Sequence, residues 1–196
     1  MHRTKTGTTG TDTREVDTRS LVGRSTGDLP LTSDGRSDAV YGEVYVLVPA
    51  RTSYYSAQPT GAAPSTAAGD SGSADLIVGI KYEVANATLT TCKPTGEAIG
   101  TALVETDAEY NLYTEANTHH GRLSASASAS SSPSGWYELL RFGRNLGSDP
   151  LPSDAAHWRK VVLPGQLQGA WGNLNAANTK KFSDADFPHW KNWKLI

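Results

Sequence analysis

All five tryptophans of this 196-residue chain, Trp136, Trp158, Trp171, Trp190 and Trp193, fall within residues 134–193. Aromatic side chains bring the largest apolar area per residue, so the core or a binding surface has to be built there. The stretch contains Ser134-Gly-Trp-Tyr-Glu-Leu-Leu-Arg-Phe142, Trp158-Arg-Lys-Val-Val-Leu163, Gly169-Ala-Trp-Gly-Asn-Leu174 and Phe187-Pro-His-Trp-Lys-Asn-Trp193. The remainder is lighter. Apolar content is 37%, with 19 Gly and 10 Pro, and Ser, Thr and Ala crowd into particular stretches. That composition predicts a folded part diluted by flexible segments.

Short β-branched runs punctuated by turn residues set the fold class. Tyr41-Gly-Glu-Val-Tyr-Val-Leu-Val-Pro49 and Leu76-Ile-Val-Gly-Ile-Lys-Tyr-Glu-Val84 read as strands. Leu89-Thr-Thr-Cys92 follows, then a Lys93-Pro-Thr-Gly96 turn and a short strand in 99–105. Residues 51–55 continue the first strand as an extended edge. Trp158–Leu163, stopped by Pro164-Gly165, pairs as a hairpin with the segment around Gly169-Ala-Trp-Gly-Asn-Leu174. Strands with turns every eight to twelve residues or so predict a small barrel or sandwich.

Helices interrupt this pattern. Thr106-Asp-Ala-Glu109 resembles a capping box, with Tyr110, Leu112, Tyr113 and Ala116 on one face of the helix that follows. Ser134 caps a second helix carrying Trp136, Leu139, Leu140 and Leu146. Residues 1–38 contain no aromatic side chain, and their charges cancel, six basic against six acidic. Such a segment is expected to be a disordered tail. The expected organisation is therefore a 1–38 tail and a module over 39–196 with excursions at 58–74 and 106–153, the second carrying the helices and a flexible Ser-Ala stretch at 122–134. The fold class is mainly β with inserted helices (α+β).

Net charge is -2, which argues against a dedicated nucleic-acid binder. Residues 134–196 carry eight Lys and Arg against five Asp and Glu, whereas 39–133 carry four against nine. A mildly basic Trp-rich end thus adjoins an acidic neighbour. Cys92 is the sole cysteine, so no disulfide forms within the chain, and a structural thiol is expected. No apolar run approaches the roughly 18–20 residues of a membrane span. No apolar stretch follows the first basic residues, so no signal peptide is expected and synthesis is cytoplasmic.

No catalytic motif stands out. Glu115 and His119 are one helical turn apart and, with His120 or a distant His157, are the weak candidates for a metal set, though no His-Glu-x-x-His spacing is present. Their place near the end of a helix favours solvated side chains. Asp184 and Asp186 lack the glycine and glutamate of a calcium loop. Trp136, Trp158 and Trp171 are expected in the core. Trp190 and Trp193, with His189 and Lys191, are the candidate ligand-binding residues, because exposed indoles can stack on sugar rings.

The Trp158-Arg-Lys-Val and Gly169-Ala-Trp-Gly-Asn-Leu pair resembles the closing strands of bacterial SH3-like domains, and Leu89 to Gly100 is similar to their early strand and loop. Segments Glu105-Thr-Asp-Ala-Glu-Tyr110, Gly135-Trp-Tyr-Glu-Leu-Leu-Arg-Phe142 and Phe182-Ser-Asp-Ala-Asp-Phe-Pro-His-Trp190 resemble a module found beside peptidoglycan hydrolase domains in type VI secretion or phage-like proteins. The resemblance implies a small SH3-like barrel with a helical insertion and long flexible loops. It implies a non-catalytic targeting or spacer module that needs no cofactor, binds cell-wall glycan or peptide, and reaches the periplasm or cell wall by a route other than Sec. In proteins of that kind the chain runs on into an acidic stretch, so this one is expected to be a fragment. The alternatives are a protein-interaction module docking on a secretion apparatus or cognate partner, and a hydrolase with a site near His119.

Overall fold

A computed structural model describes residues 3–5, 42–60, 66–142, 156–183 and 193–195. The strands are β1 (Arg3–Lys5), β2 (Val44–Val48), β3 (Ser53–Tyr55), β4 (Gly69–Asp70), β5 (Leu76–Glu83), β6 (Asn86–Cys92), β7 (Leu103–Glu105), β8 (Trp158–Leu163), β9 (Gln166–Asn173), β10 (Lys180–Ser183) and β11 (Trp193–Leu195). Between β7 and β8 lie α1 (Ala108–Gly121), α2 (Ala125–Ala129) and α3 (Pro133–Phe142). The chain is mainly β with a few helices. A five-stranded sheet of order β10-β2-β5-β6-β7 and a four-stranded sheet of order β4-β3-β9-β8 are antiparallel throughout. Among the described residues no sheet closes on itself.

Register explains how the sheets share a core. Val44, Val46 and Val48 pair with Ile80, Val78 and Leu76, so these residues occupy one face of β2 and β5. They pack with Leu89 of β6 and with Val161, Leu163 and Ala170 of the second sheet, all nearly inaccessible to solvent. The opposite face of β2 is buried as well, at Tyr45 and Leu47. Such a doubly covered strand reads as a continuous apolar run rather than an alternation.

The helices build a second core. Leu112 and Ala116 of α1 meet Trp136, Leu139 and Leu140 of α3. Pro133 opens α3, where its missing N–H costs no intrahelical bond. Tyr82 packs against both cores. Around its ring lie two cation–carboxylate pairs, one joining the two sheets through β8 and β7 and one joining α3 to α1. Arg159 Nη2 donates to Glu105 Oε2 at 2.6 Å, and Arg141 Nη2 donates to Glu109 Oε1. The two guanidinium carbons lie 5.9 Å and 4.8 Å from the Tyr82 centroid, and burial pushes the phenol up to about 12.

Several local expectations change. Thr106 does not cap α1: Asp107 is the N-cap, left-handed at φ 52 and without a side-chain cap bond, and its N–H donates to Asn86 Oδ1 at 3.0 Å. Tyr110 and Tyr113 do not share the buried face of Leu112 and Ala116; both are exposed, because at about 100° per residue they lie roughly 160° and 100° round the helix from Leu112. Residues 53–55 are not an edge, since β3 lies between β4 and β9. The small-residue excursion at 58–74 contains β4, held by Ala68 N–H to Tyr54 O and Ser71 N–H to Thr52 O, both at 2.8 Å. The Ser-Ala repeat within 106–153 forms α2, capped by Ser124. Of the expected 1–38 tail, Arg3–Lys5 is described, paired with Trp193–Leu195, and the remainder lies outside the described residues.

Candidate functional site

The face of the four-stranded sheet that carries Trp171 is set by register. Tyr55 pairs with Trp171 and Trp171 with Lys160, so these three form one row, and Trp158 is on the same face two residues before Lys160. Tyr55 meets Trp158 edge-on at 5.3 Å. Trp158 is buried, Trp171 half-buried and Lys160 exposed. Opposite this row, α1 presents Ala108, Asn111, Leu112 and Glu115, and between the two lies a cleft of about 390 Å³ closed by Gln58, Glu105 and Arg159.

A second hollow of about 380 Å³ lies further along the same side of α1, between it and Gln58, Pro59 and Thr60. Asn111, Thr114, Glu115, Thr118, His119 and Arg122 line it. Gln58 Nε2 donates to Glu115 Oε1 at 3.2 Å, bridging the rim shared by cleft and hollow.

Electrostatics distinguish the carboxylates. Burial holds Glu105 above the usual carboxylate range despite the opposing pull of Arg159, and Glu115 adds to the upward push. Glu115 lies 3.5 Å from His119 Nε2, both partly exposed. The His119 ring stacks on Trp136 at 4.9 Å with 10° between planes. His120 turns elsewhere: its Nε2 faces the Ser128 and Ser131 carbonyls at 3.3 Å and 3.2 Å, and since carbonyls only accept, that nitrogen carries the proton. His157 is fully buried beyond α3 and shares no site with the other two. The weak metal candidates Glu115, His119 and His120 are therefore not brought to one point, and among the described residues no group of three potential metal ligands occurs.

Of the candidate ligand-binding residues, His189, Trp190 and Lys191 lie outside the described residues. Trp193 opens β11, paired with Lys5. Trp136 and Trp158 are both buried as expected, Trp158 also bordering the cleft, whereas Trp171 is only half-buried along it. Sequence reasoning missed Gln58, Glu105, Asn111, Lys160 and Arg122, which lie on four segments: the loop after β3, β7, α1 with its C-cap, and β8. Cys92 is half-buried, its thiol donating to Ile77 O at 3.7 Å, and burial followed by the Glu43 charge pushes it up to about 11. That suits a structural thiol, not a nucleophile.

Comparisons with family models, with curated proteins and with solved structures returned no match.

Proposed function

We propose that the chain is a non-catalytic binding module of SH3-like type that serves a bacterial peptidoglycan hydrolase, and that cell-wall material occupies the cleft between α1 and the β8–β9 hairpin. The observation that carries this is the Trp158–Trp171 wall facing Asn111, Gln58 and Glu115 across about 390 Å³. An aromatic face with a few amide, carboxylate and cationic groups suits a ligand that is part sugar ring, part amide and part carboxylate. Two antiparallel sheets over one core, with the hairpin returning to β3, support the SH3-like comparison. The helical insertion then supplies one wall of the cleft. In this setting the module acts in the periplasm or at the cell wall, and catalysis resides on a different unit.

Co-sedimentation with insoluble peptidoglycan, combined with an assay for released muropeptides, tests this. Binding without release, weakened by Trp171→Ala, is expected. Muropeptide release, or binding unchanged by that substitution, would overturn it.

A protein partner is the alternative favoured by a separate observation. Val84, Tyr110, Val104 and Tyr113 expose 89%, 71%, 63% and 58% of their surface around α1 and the adjoining strands. Retention of a secretion-apparatus partner after all glycan has been removed would support that reading. The hydrolase reading near His119 has only the Glu115–His119 contact behind it; loss of an activity on His119→Ala would be needed to revive it.

A further inference from the structure

We infer that the cleft and the hollow are one continuous groove along α1, and that its occupant is an extended cell-wall strand with a sugar ring at Trp171 and a peptide-stem carboxylate at Arg122. This rests on the cell-wall reading above and specifies its ligand.

Continuity follows from the shared rim. Gln58, Asn111 and Glu115 border both spaces, and one exposed hydrogen bond, Gln58 to Glu115, lies across the junction. Lining residues run from Ala108 to Arg122, which at 1.5 Å per helical residue is about 20 Å. A single sugar or amino acid would fill only one part of that length. An oligomer fills both.

Charge sets the polarity of the ligand. Glu105 is neutralised by Arg159, and Glu115 is engaged by Gln58 and His119. Lys160 and Arg122, at opposite ends, have no carboxylate within ion-pair distance among the described residues. Both are exposed and accessible to a ligand. Arg122 is flanked by Thr118 and His119, a donor-rich surround for a carboxylate, and its planar fork can engage both oxygens at once. The Trp171 end provides the ring face. A neutral glycan would match the ring face but leave Arg122 unmatched, whereas a glycan bearing an acidic peptide stem at that end would satisfy both the ring face and Arg122.

Two soluble probes separate these cases by calorimetry at low salt: a neutral N-acetylglucosamine oligomer and a muropeptide of the same backbone length with acidic stems. The muropeptide is expected to bind about tenfold more tightly, the scale of one charge-assisted contact. Arg122→Ala should remove that preference and leave the neutral oligomer unaffected, while Trp171→Ala weakens both. Arg122 is exposed, so its replacement leaves the fold intact. Equal affinities for the two probes, or a preference that survives Arg122→Ala, would overturn this inference and leave the cell-wall reading standing. Failure of both probes to bind would overturn the two together.

Discussion

Acidification should unlock the fold through His157. Its backbone N–H donates to Asn173 Oδ1 at 2.9 Å and its carbonyl accepts from Leu174 N–H at 2.8 Å, which fixes the residue at the entry of β8. The side chain is fully buried, and neither ring nitrogen makes a hydrogen bond of good geometry, the Leu140 backbone being a weak polar neighbour. Burial first, then the positive charges of Arg159 and Lys181, hold the imidazole well below its usual range, with only the Leu140 backbone acting the other way. In the unfolded chain the same group titrates near 6.5. Below that pH the unfolded state binds the extra proton, so stability is complete above about pH 6.5 and falls as pH drops. One such group removes about 1.4 kcal/mol between roughly pH 7.5 and 5.5, and about as much again per further pH unit until the folded state protonates. Glu105 works in the opposite sense, because a carboxyl raised in the folded state adds stability as pH falls through its folded value. Comparison with His157→Leu cancels that contribution. Urea unfolding followed by tryptophan fluorescence at both pH values should show the wild type losing about 1.4 kcal/mol more than the variant. Equal losses would refute the assignment of acid sensitivity to His157.

Three further predictions concern local strain and reactivity. Val84 and Ala85 form a two-residue turn between the paired Glu83 and Asn86, with φ of 49° and 64°, so Val84→Asn with Ala85→Gly should raise stability by about 1–2 kcal/mol; an unchanged thermal midpoint would count against strain there. Gly169 has φ 83°, and an added Cβ would lie 2.7 Å from Leu103 Cδ1, so Gly169→Ala should cost at least about 1–2 kcal/mol in urea unfolding, and a neutral result would mean that Leu103 and the backbone yield freely. Cys92 should react with a thiol-specific disulfide reagent at pH 8 about tenfold or more slowly in the folded protein than in urea, as its raised titration implies; equal rates would contradict it.

Strand pairing was legible wherever apolar runs and turn residues coincide. The β5–β6 ladder and the Pro164-Gly165 hairpin follow directly from such runs. The β4 strand was hidden because backbone bonds and a close approach hold it: a Cβ on Gly69 would lie 2.6 Å from the Tyr54 hydroxyl, and neither feature leaves an apolar pattern. The α1 cap was misread because Asn86, twenty-one residues away, satisfies the Asp107 N–H in place of a local side chain. For the site, the density of titratable residues drew attention to the end of α1, where Glu115 and His119 do border a hollow. The cleft itself joins Gln58, Glu105, Asn111 and Trp171, and only tertiary packing brings such distant positions together. Spacing of Trp158 and Trp171 in a hairpin cannot say which indole keeps a face open. Burial decides that, and it leaves Trp171 the more exposed of the two.

The central claim is that the α1 cleft takes cell-wall material, and its most direct test is to follow the indole N–H resonances of all five tryptophans by NMR while a soluble muropeptide is added. The Trp171 and Trp158 signals should move together and saturably, with Trp136 unmoved because it is buried in the helical core. Saturable movement confined to Trp190 and Trp193, or no movement at any of the five, would contradict the account.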